Sequence, residues 1–253
     1  MVQIKISNNF LSEIAWEDFS GCSFNIHTQA DIWRINVASN AASIHHLSSL
    51  LTNDELTKAS RFLHRHDSDR FIISRAALRL IMGRYLNVNP TLIAIGADEN
   101  KKPFIKNSPL FYNMSHSGDW IIIAISASAI GIDTELVKNS FDFGNIINEY
   151  FDRKELDFIN EKNSTERFYM MWTRKEALTK ATGQGLDENL KFIPSLDGEY
   201  FINRNILSPK HNLAVFSFKL ANNYFASAAV SENVTDITFW ETNQLRKHFK
   251  FIA

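Results

Sequence analysis

The stretch Trp172-Thr-Arg-Lys-Glu-Ala-Leu-Thr-Lys180, followed by Ala-Thr-Gly-Gln-Gly185, predicts a helix that ends at a glycine stop. Glu176 lies in it between two lysines, one directly before it and one four residues later. Side chains four residues apart share one face of a helix, so Phe168, Trp172, Glu176 and Lys180 form a single stripe. Aromatic residues at one end and charges at the other favour a helix lying half in the core and half in a site. A solvated Glu176–Lys180 ion pair, worth about 0.3–0.5 kcal/mol, would give the same pattern.

Upstream of this helix, the pair Asp133-Thr-Glu135 follows an apolar run. In a strand, residues i and i+2 point to the same face, so the two carboxylates project together. Carboxylates held that close repel each other, and a bound cation relieves the repulsion. With Glu176 they offer three hard oxygen ligands beside lysines, which is what a magnesium-bound polyphosphate needs. For the pair alone, a solvated strand end is the alternative.

Two further segments carry groups that suit phosphate. In Asn113-Met-Ser-His-Ser117, Ser115 and His116 can donate hydrogen bonds to phosphate oxygens. A serine–histidine hydrolase is disfavoured because no glycine pattern of a nucleophile elbow surrounds either serine. Asn100-Lys-Lys-Pro103 adds two cations in a loop, although lysines in loops are usually only solvated.

Composition limits the class of protein. The chain has 253 residues, 45% of them hydrophobic and 22% charged, as in ordinary globular proteins. The net charge of −1 gives no global basicity for nucleic-acid binding. The single cysteine, Cys22, excludes an intrachain disulfide. The apolar run Trp120–Ile132 is too short to span a bilayer, and the first residues lack the organisation of a signal peptide, so we expect a soluble cytoplasmic protein.

Hydrophobic periodicity predicts an α+β fold with two similar halves that meet near residue 128 and leave a cleft between them. The two halves are residues 1–128 and 129–253. Helices are expected from a capping box at Thr52, over Ser68–Arg84, over Asn145–Phe158 and over Thr165–Ala181. The expected strands are Leu110–His116, Trp120–Ser126, Gly131–Glu135, Leu213–Leu220, Tyr224–Val230 and Thr235–Trp240.

The order and spacing of three motifs resemble those of the 4′-phosphopantetheinyl transferases. The motifs are Asn113-Met-Ser-His-Ser117, Gly131-Ile-Asp-Thr-Glu135, and Trp172-x-x-Lys-Glu-Ala-x-x-Lys180 with Gly183-x-Gly185. The likeness begins around the helix Lys58–Arg70 and runs to the strand at Asp236-Ile-Thr-Phe239. It is to the two-lobed type, which activates nonribosomal peptide synthetases and related megaenzymes. The single-lobed carrier-protein synthases are about half this length. The resemblance implies a pseudo-dimeric fold of two α+β lobes.

The resemblance also implies an activity: transfer of the phosphopantetheine arm of coenzyme A to a serine of an acyl or peptidyl carrier protein, with release of adenosine 3′,5′-bisphosphate. By motif matching, Mg²⁺ would be held by Asp133, Glu135 and Glu176. Coenzyme A would be bound by Lys58, Lys102, Ser115, His116, Lys175 and Lys180. Glu155 would be a candidate base for the incoming serine, and Glu176 and Lys180 would complete the catalytic set.

Two positions depart from the family pattern. Lys101 stands where many relatives have glycine before Lys-Pro, which affects the shape of that loop and the role of Lys102. Thr134 replaces a more usual aliphatic residue between the acidic ligands, but it points to the opposite face. Two alternatives to the transferase stay open: a non-catalytic protein that binds coenzyme A or carrier domains, and a Mg²⁺-dependent nucleotide hydrolase.

The partner is expected to be an acidic carrier that docks on a basic or apolar surface, with Arg153 or Arg174 as candidate contacts. The sequence leaves open whether that carrier serves fatty-acid, polyketide, peptide or lysine metabolism. Relatives of this length are generally monomers, and we expect a monomer here.

Overall fold

A computed structural model describes residues 1–7, 11, 13–185 and 188–248. It contains twelve strands in this region: β1 Val2–Ile6, β2 Glu17–Asp18, β3 Gln29–Asn36, β4 Ile95–Ala97, β5 Pro103–Ile105, β6 Phe111–Ser117, β7 Trp120–Ser126, β8 Ile130–Leu136, β9 Gly198–Ile202, β10 Leu213–Ala221, β11 Tyr224–Ser231 and β12 Asp236–Glu241. The α-helices described are α1 Val37–Asn40, α2 Ile44–Ser48, α3 Asn53–Ala59, α4 Arg65–Leu86, α5 Gly144–Tyr150, α6 Arg153–Ile159, α7 Ser164–Thr182 and α8 Leu245–His248.

Two five-stranded sheets form the centre of the molecule. The amino-terminal sheet has the order β2-β12-β3-β7-β6, and the carboxy-terminal sheet has the order β8-β11-β10-β1-β9. β4 and β5 form a separate two-stranded ribbon. The expected α+β fold with two sheet-containing lobes is thus confirmed.

The two ends of the chain cross between the lobes. β1 lies in the carboxy-terminal sheet, parallel to β10 and antiparallel to β9. β12 lies in the amino-terminal sheet, parallel to β3. The division of the chain at residue 128 stays a prediction, and under that division each half donates one strand to the sheet of the other.

The two sheets pack face to face, and the long helices cover their outer faces. On β7, Ile121, Ile123 and Ile125 point towards α4, while Ile122 and Ala124 pack against the carboxy-terminal sheet. A strand buried on both faces has a continuous run of apolar residues in its sequence, rather than an alternation of apolar and polar residues. α7 covers the other sheet through Ala177, Leu178 and Ala181.

One predicted helix is wrong in extent. Asn145–Phe158 is not continuous but is divided into α5 and α6. Asp152 caps α6: its carboxylate accepts from the Glu155 amide at 2.9 Å, and Glu155 Oε2 accepts from the Asp152 amide at 3.0 Å. This reciprocal capping box starts a new helix, and Phe151 before it is extended.

Two local predictions are confirmed, and the departure at Lys101 has a structural explanation. Thr52 begins α3 with a capping box to Glu55. Gly183 ends α7 with a left-handed φ of 76° and donates its amide to the Thr179 carbonyl.

Lys101 adopts φ 63°, the left-handed conformation that the glycine of relatives would take at no steric cost. The turn that presents Lys102 therefore has a backbone conformation that suits glycine.

Among the helices that the structure describes, none has the length and apolar composition needed to cross a membrane. Cys22 is a buried free thiol.

Candidate active site

The candidate site forms where α7 crosses β8 at close range. Gly131, Asp133 and Glu135 alternate along β8, and Gly131 lies directly under the helix. A Cβ at Gly131 would lie 2.0 Å from the carbonyl oxygen of Ala177 and 2.3 Å from the amide nitrogen of Ala181. Only a residue without a side chain permits this approach, and it brings Glu176 and Lys180 close to the carboxylates of β8.

Asp133 is the centre of a buried polar cluster. Its Oδ1 accepts from Lys180 Nζ at 2.6 Å and from Ser115 Oγ at 2.8 Å. Lys180 Nζ also donates to Ser115 Oγ at 3.1 Å. Ser115 comes from β6 in the amino-terminal sheet, so three elements from both lobes meet at one carboxylate.

Glu135, two residues further along β8, is held in the same manner. Ser117 Oγ donates to Glu135 Oε2 at 2.8 Å and accepts from the Leu136 amide at 3.0 Å. At the other end of the contact, Asn113 Oδ1 accepts from the Ile132 amide at 2.9 Å. Asn113, Ser115 and Ser117, which alternate along one face of β6, therefore all bind β8.

The charges in the cluster perturb one another. Burial, and then the negative charge of Asp133, raise the pKa of Glu176 to about 7. The same two causes, in the same order, raise the pKa of Glu135. Burial opposes the charge of Lys180, but the neighbouring carboxylates, Asp133 foremost, raise the pKa of its ammonium overall. Glu135 and Glu176 thus both sense the negative charge of Asp133, with which Lys180 pairs.

The donor set suits a hard divalent cation in combination with phosphate. Within the described ranges, no three His, Cys, Asp or Glu side chains stand in a geometry that could hold a metal ion by themselves. However, Asp133 Oδ2 is buried and has no hydrogen-bond partner among the described residues, so a lone pair is left for a further ligand. Mg²⁺ commonly takes one or two carboxylates and completes its shell with water and substrate phosphates. The residues therefore fit Mg²⁺ as such a mixed site.

Lys102 connects the two lobes beside this cluster. Its Nζ donates to the Ala181 carbonyl at 2.9 Å, one residue beyond Lys180. Burial lowers the pKa of Lys102, and Asp98 opposes that shift. The residue lines a cleft of about 470 Å³ between the β4–β5 ribbon and the segments around Ala129 and Ser208. The cleft predicted between the lobes is therefore present, with a cation in its wall.

The other two predicted coenzyme A ligands of the amino-terminal lobe are both exposed. His116 is exposed on β6, on the face opposite to its two serine neighbours. Partial burial of its ring, and then the positive charge of Arg70, lower the pKa of His116. Lys58 lies exposed on α3, with Nζ 5.4 Å from the centroid of the Phe71 ring.

The structure does not bring Lys175 and Glu155 into the cluster. Lys175 is fully buried and pairs with Glu155 Oε2 at 3.0 Å. Its Nζ also donates to the carbonyls of Leu190, at 3.1 Å, and Ile193. Glu155 Oε1 accepts from both the amide and the hydroxyl of Ser195, at 2.8 and 2.6 Å.

Glu155 is 2% exposed, and each of its oxygens already has two donors, so it has no free lone pair facing an incoming serine. Lys175 has no exposed surface for a phosphate. We therefore correct both expectations: Glu155 and Lys175 form a buried structural pair. The Asp-x-x-Glu spacing of the α6 capping box was the sequence signal for this role.

Arg174 is also corrected as a docking residue. It is 2% exposed and bonds to Ser217, to the Ser195 carbonyl and to Asp197. Ser117 and Asn113 also contact β8 but were not predicted from the sequence as site residues. The period-two spacing of Asn113, Ser115 and Ser117 on one strand face was the signal that could have found them.

Two family matches divide the chain between them. Residues 36–128 match the family described as "4′-phosphopantetheinyl transferase, N-terminal". Residues 129–229 match the "4′-phosphopantetheinyl transferase superfamily".

Among curated relatives, the 4′-phosphopantetheinyl transferase HetI of Nostoc sp. is 30% identical over 166 residues, which covers 62% of this chain and 70% of that protein. The 4′-phosphopantetheinyl transferase Sfp of Bacillus subtilis is 31% identical over 143 residues, covering 54% of this chain and 62% of Sfp. The 4′-phosphopantetheinyl transferase gsp of Aneurinibacillus migulanus is 28% identical over 143 residues, covering 55% of this chain and 59% of gsp. The match to Sfp and gsp thus spans somewhat less than two thirds of their length. The two family matches, the HetI relative and the two-lobed fold together show that the chain belongs to the 4′-phosphopantetheinyl transferase superfamily and is a transferase of the Sfp type.

Proposed function

We propose that this chain is a Mg²⁺-dependent enzyme that transfers the 4′-phosphopantetheine arm of coenzyme A to a serine of an apo carrier protein and releases adenosine 3′,5′-bisphosphate. One observation carries the proposal: where α7 crosses β8, Lys180 pairs with Asp133 at 2.6 Å, and the charge of Asp133 reaches both Glu135 and Glu176, in a chain of this family. Phosphoryl transfer depends chiefly on positioning and on stabilisation of charge, and this cluster offers both.

The proposed roles follow the placement of each group. Asp133, with its unpartnered Oδ2, and Glu135 would be the carboxylates that hold Mg²⁺, and Glu176 would face the same ion. When bound, Mg²⁺ would polarise the pyrophosphate oxygens and offset charge on the leaving phosphate. Lys180 would donate to a phosphate oxygen, because its ammonium has three N–H donors and only two are directed at Asp133 and Ser115.

The remaining cations would bind the rest of coenzyme A. Lys102 lines the interlobe cleft, and His116 and Lys58 lie exposed on the amino-terminal lobe, where a phosphate could reach them. Ser115 is 9% exposed and donates to Asp133, so any contact with phosphate would require that hydrogen bond to be exchanged.

The acid–base step would fall to the cluster itself. In the transfer, the serine oxygen of the carrier bonds to the phosphorus of the arm, the bond from that phosphorus to the oxygen of the adenosine bisphosphate breaks, and the serine hydroxyl loses its proton. Glu176 is partly exposed, whereas Glu155 is enclosed. Glu176 is therefore the proposed acceptor of the proton, directly or through water.

Mass spectrometry of an apo carrier tests the activity. The full chain is incubated with coenzyme A, Mg²⁺ and a panel of acyl and peptidyl carriers. The expected result is a gain of one phosphopantetheine mass on at least one carrier, abolished by EDTA. Release of free phosphopantetheine without a carrier would indicate a hydrolase instead. Binding of coenzyme A that ignores Mg²⁺, with every carrier unchanged, would indicate a non-catalytic binding protein.

A further inference from the structure

The turn between β6 and β7 is anchored from both lobes. From the amino-terminal lobe, Arg70 of α4 donates to the Gly118 carbonyl at 3.1 Å. From the carboxy-terminal lobe, the hydroxyl of Tyr224 on β11 accepts from the Asp119 amide at 3.1 Å. Gly118 has φ 51°, and a Cβ there would lie 2.3 Å from the Tyr224 hydroxyl oxygen. The turn is therefore fixed in position before any ligand binds.

Ser117 is the last residue of β6 before this turn, and its hydroxyl group holds the carboxylate of Glu135. The hydroxyl donates its one proton to Glu135 Oε2 and accepts from the backbone amide of Leu136. Because the amide supplies a proton, the hydroxyl proton is free to be directed at the carboxylate. One oxygen of Glu135 is thereby fixed, which sets the direction in which the carboxylate faces.

β6 and β8 belong to different sheets, and the described contacts that join them here run through side chains rather than through a backbone ladder. The geometry of Glu135 thus depends on how the two lobes meet. Residues that hold a metal ligand by hydrogen bonds typically change metal affinity or activity by about 10–100-fold when removed.

We propose that Ser117 is a positioning residue that presets Glu135 for a divalent cation, so that contact between the lobes at the β6–β7 turn prepares the metal site. The inference rests on the proposed function, because it assumes that Glu135 takes part in holding the cation. In this role Ser117 would act through Glu135 rather than by contact with the cation or the substrate.

The test measures Mn²⁺ binding by electron paramagnetic resonance, with the full chain and coenzyme A present. Ser117→Ala should weaken Mn²⁺ binding by about tenfold or more. Ser117→Thr keeps the hydroxyl and should restore most of the affinity. Ser49→Ala is the matched control, because the exposed Ser49 hydroxyl donates only to the His46 carbonyl among the described contacts.

Each outcome bears on the inference. Unchanged Mn²⁺ affinity in Ser117→Ala, with binding by the wild-type chain, would overturn the positioning role and leave the proposed function intact. The positioning role would also be overturned if Ser117→Thr bound Mn²⁺ as weakly as Ser117→Ala while both remained folded by circular dichroism. No Mn²⁺ binding by the wild-type chain would overturn the inference together with the proposed metal site.

Discussion

Gly131 of β8 and Ala177 of α7 are in backbone contact, so that any side chain at Gly131 would collide with the helix. This contact sets the distance between the strand that carries Asp133 and Glu135 and the helix that carries Glu176 and Lys180. The glycine is thus a condition for the cluster, although it carries no functional group itself.

Gly131→Ala is expected to destabilise the protein, because a Cβ 2.0 Å from the Ala177 carbonyl forces α7 away from β8. Overpacking of this kind typically costs about 1–3 kcal/mol. Urea unfolding monitored by circular dichroism measures the loss. Gly21→Ala is the control, since a Cβ there meets only the Trp240 ring at 3.5 Å. Equal stability of Gly131→Ala and the wild type would contradict the close crossing.

Lys175→Met is expected to reduce the free energy of unfolding strongly, because it leaves the buried Glu155 carboxylate without its cation. Breaking a buried ion pair from one side costs about 3–5 kcal/mol. Arg153→Met breaks the exposed pair with Asp157 and should change stability by less than about 1 kcal/mol. A Lys175→Met protein that is as stable as the wild type but has lost affinity for coenzyme A would instead favour a ligand-binding lysine.

The pH dependence of stability in the metal-free protein should reveal Glu176. Its pKa is raised from 4.5 to about 7 by burial and by Asp133, so the folded state binds more protons than the unfolded state between these values. Stability contributed by the protonated form is complete below pH 4.5 and is lost as the pH rises through about 7. One group contributes a slope of at most about 1.4 kcal/mol per pH unit.

Glu176→Gln should remove this part of the slope, whereas Glu166→Gln, on the exposed face of the same helix, should leave it in place. Thermal unfolding in EDTA between pH 5 and 8 (a window within about two units of the Glu176 transition) provides the comparison. Identical profiles for the wild type and Glu176→Gln would mean that Glu176 does not sense the cluster.

Lys101 gives a prediction about loop conformation. Left-handed backbone costs a residue with a Cβ about 1–2 kcal/mol, and β-branched residues tolerate it worst. Lys101→Gly should therefore retain or slightly raise stability, while Lys101→Val should lower it. Differential scanning calorimetry should give Lys101→Gly a melting temperature equal to or above that of the wild type. The melting temperature of Lys101→Val should be lower. A Lys101→Val protein that melts with the wild type would argue against the left-handed turn.

Short-range rules predicted much of the fold from the sequence. The period of two placed Asp133 and Glu135 on one strand face, and the period of four placed Glu176 and Lys180 on one helix face. The capping box at Thr52 and the stop at Gly183 depend only on residues within one turn, and both are confirmed.

Such rules do not predict which segments pair when they are distant in the sequence. Nothing local to Val2–Ile6 indicates that it pairs with a strand more than 200 residues later. The side of α7 on which Lys175 lies was not decided by its motif, because a helix places consecutive residues about 100° apart. Glu176 consequently faces the cluster, while Lys175 faces the interior. Lys175 is buried there because residues 190–195, which are distant in sequence, pass beside the helix.

Asp133 is the residue on which Mg²⁺-dependent transfer of the arm depends most strongly in the proposed mechanism. The decisive experiment measures the single-turnover rate of holo-carrier formation by Asp133→Asn, which keeps the shape of the side chain and removes its charge. We expect a loss of at least about 10²-fold with an unchanged circular dichroism spectrum, while the exposed control Asp157→Asn keeps the wild-type rate. A folded Asp133→Asn protein that modifies the carrier at the wild-type rate would show that the cluster is not the catalytic centre.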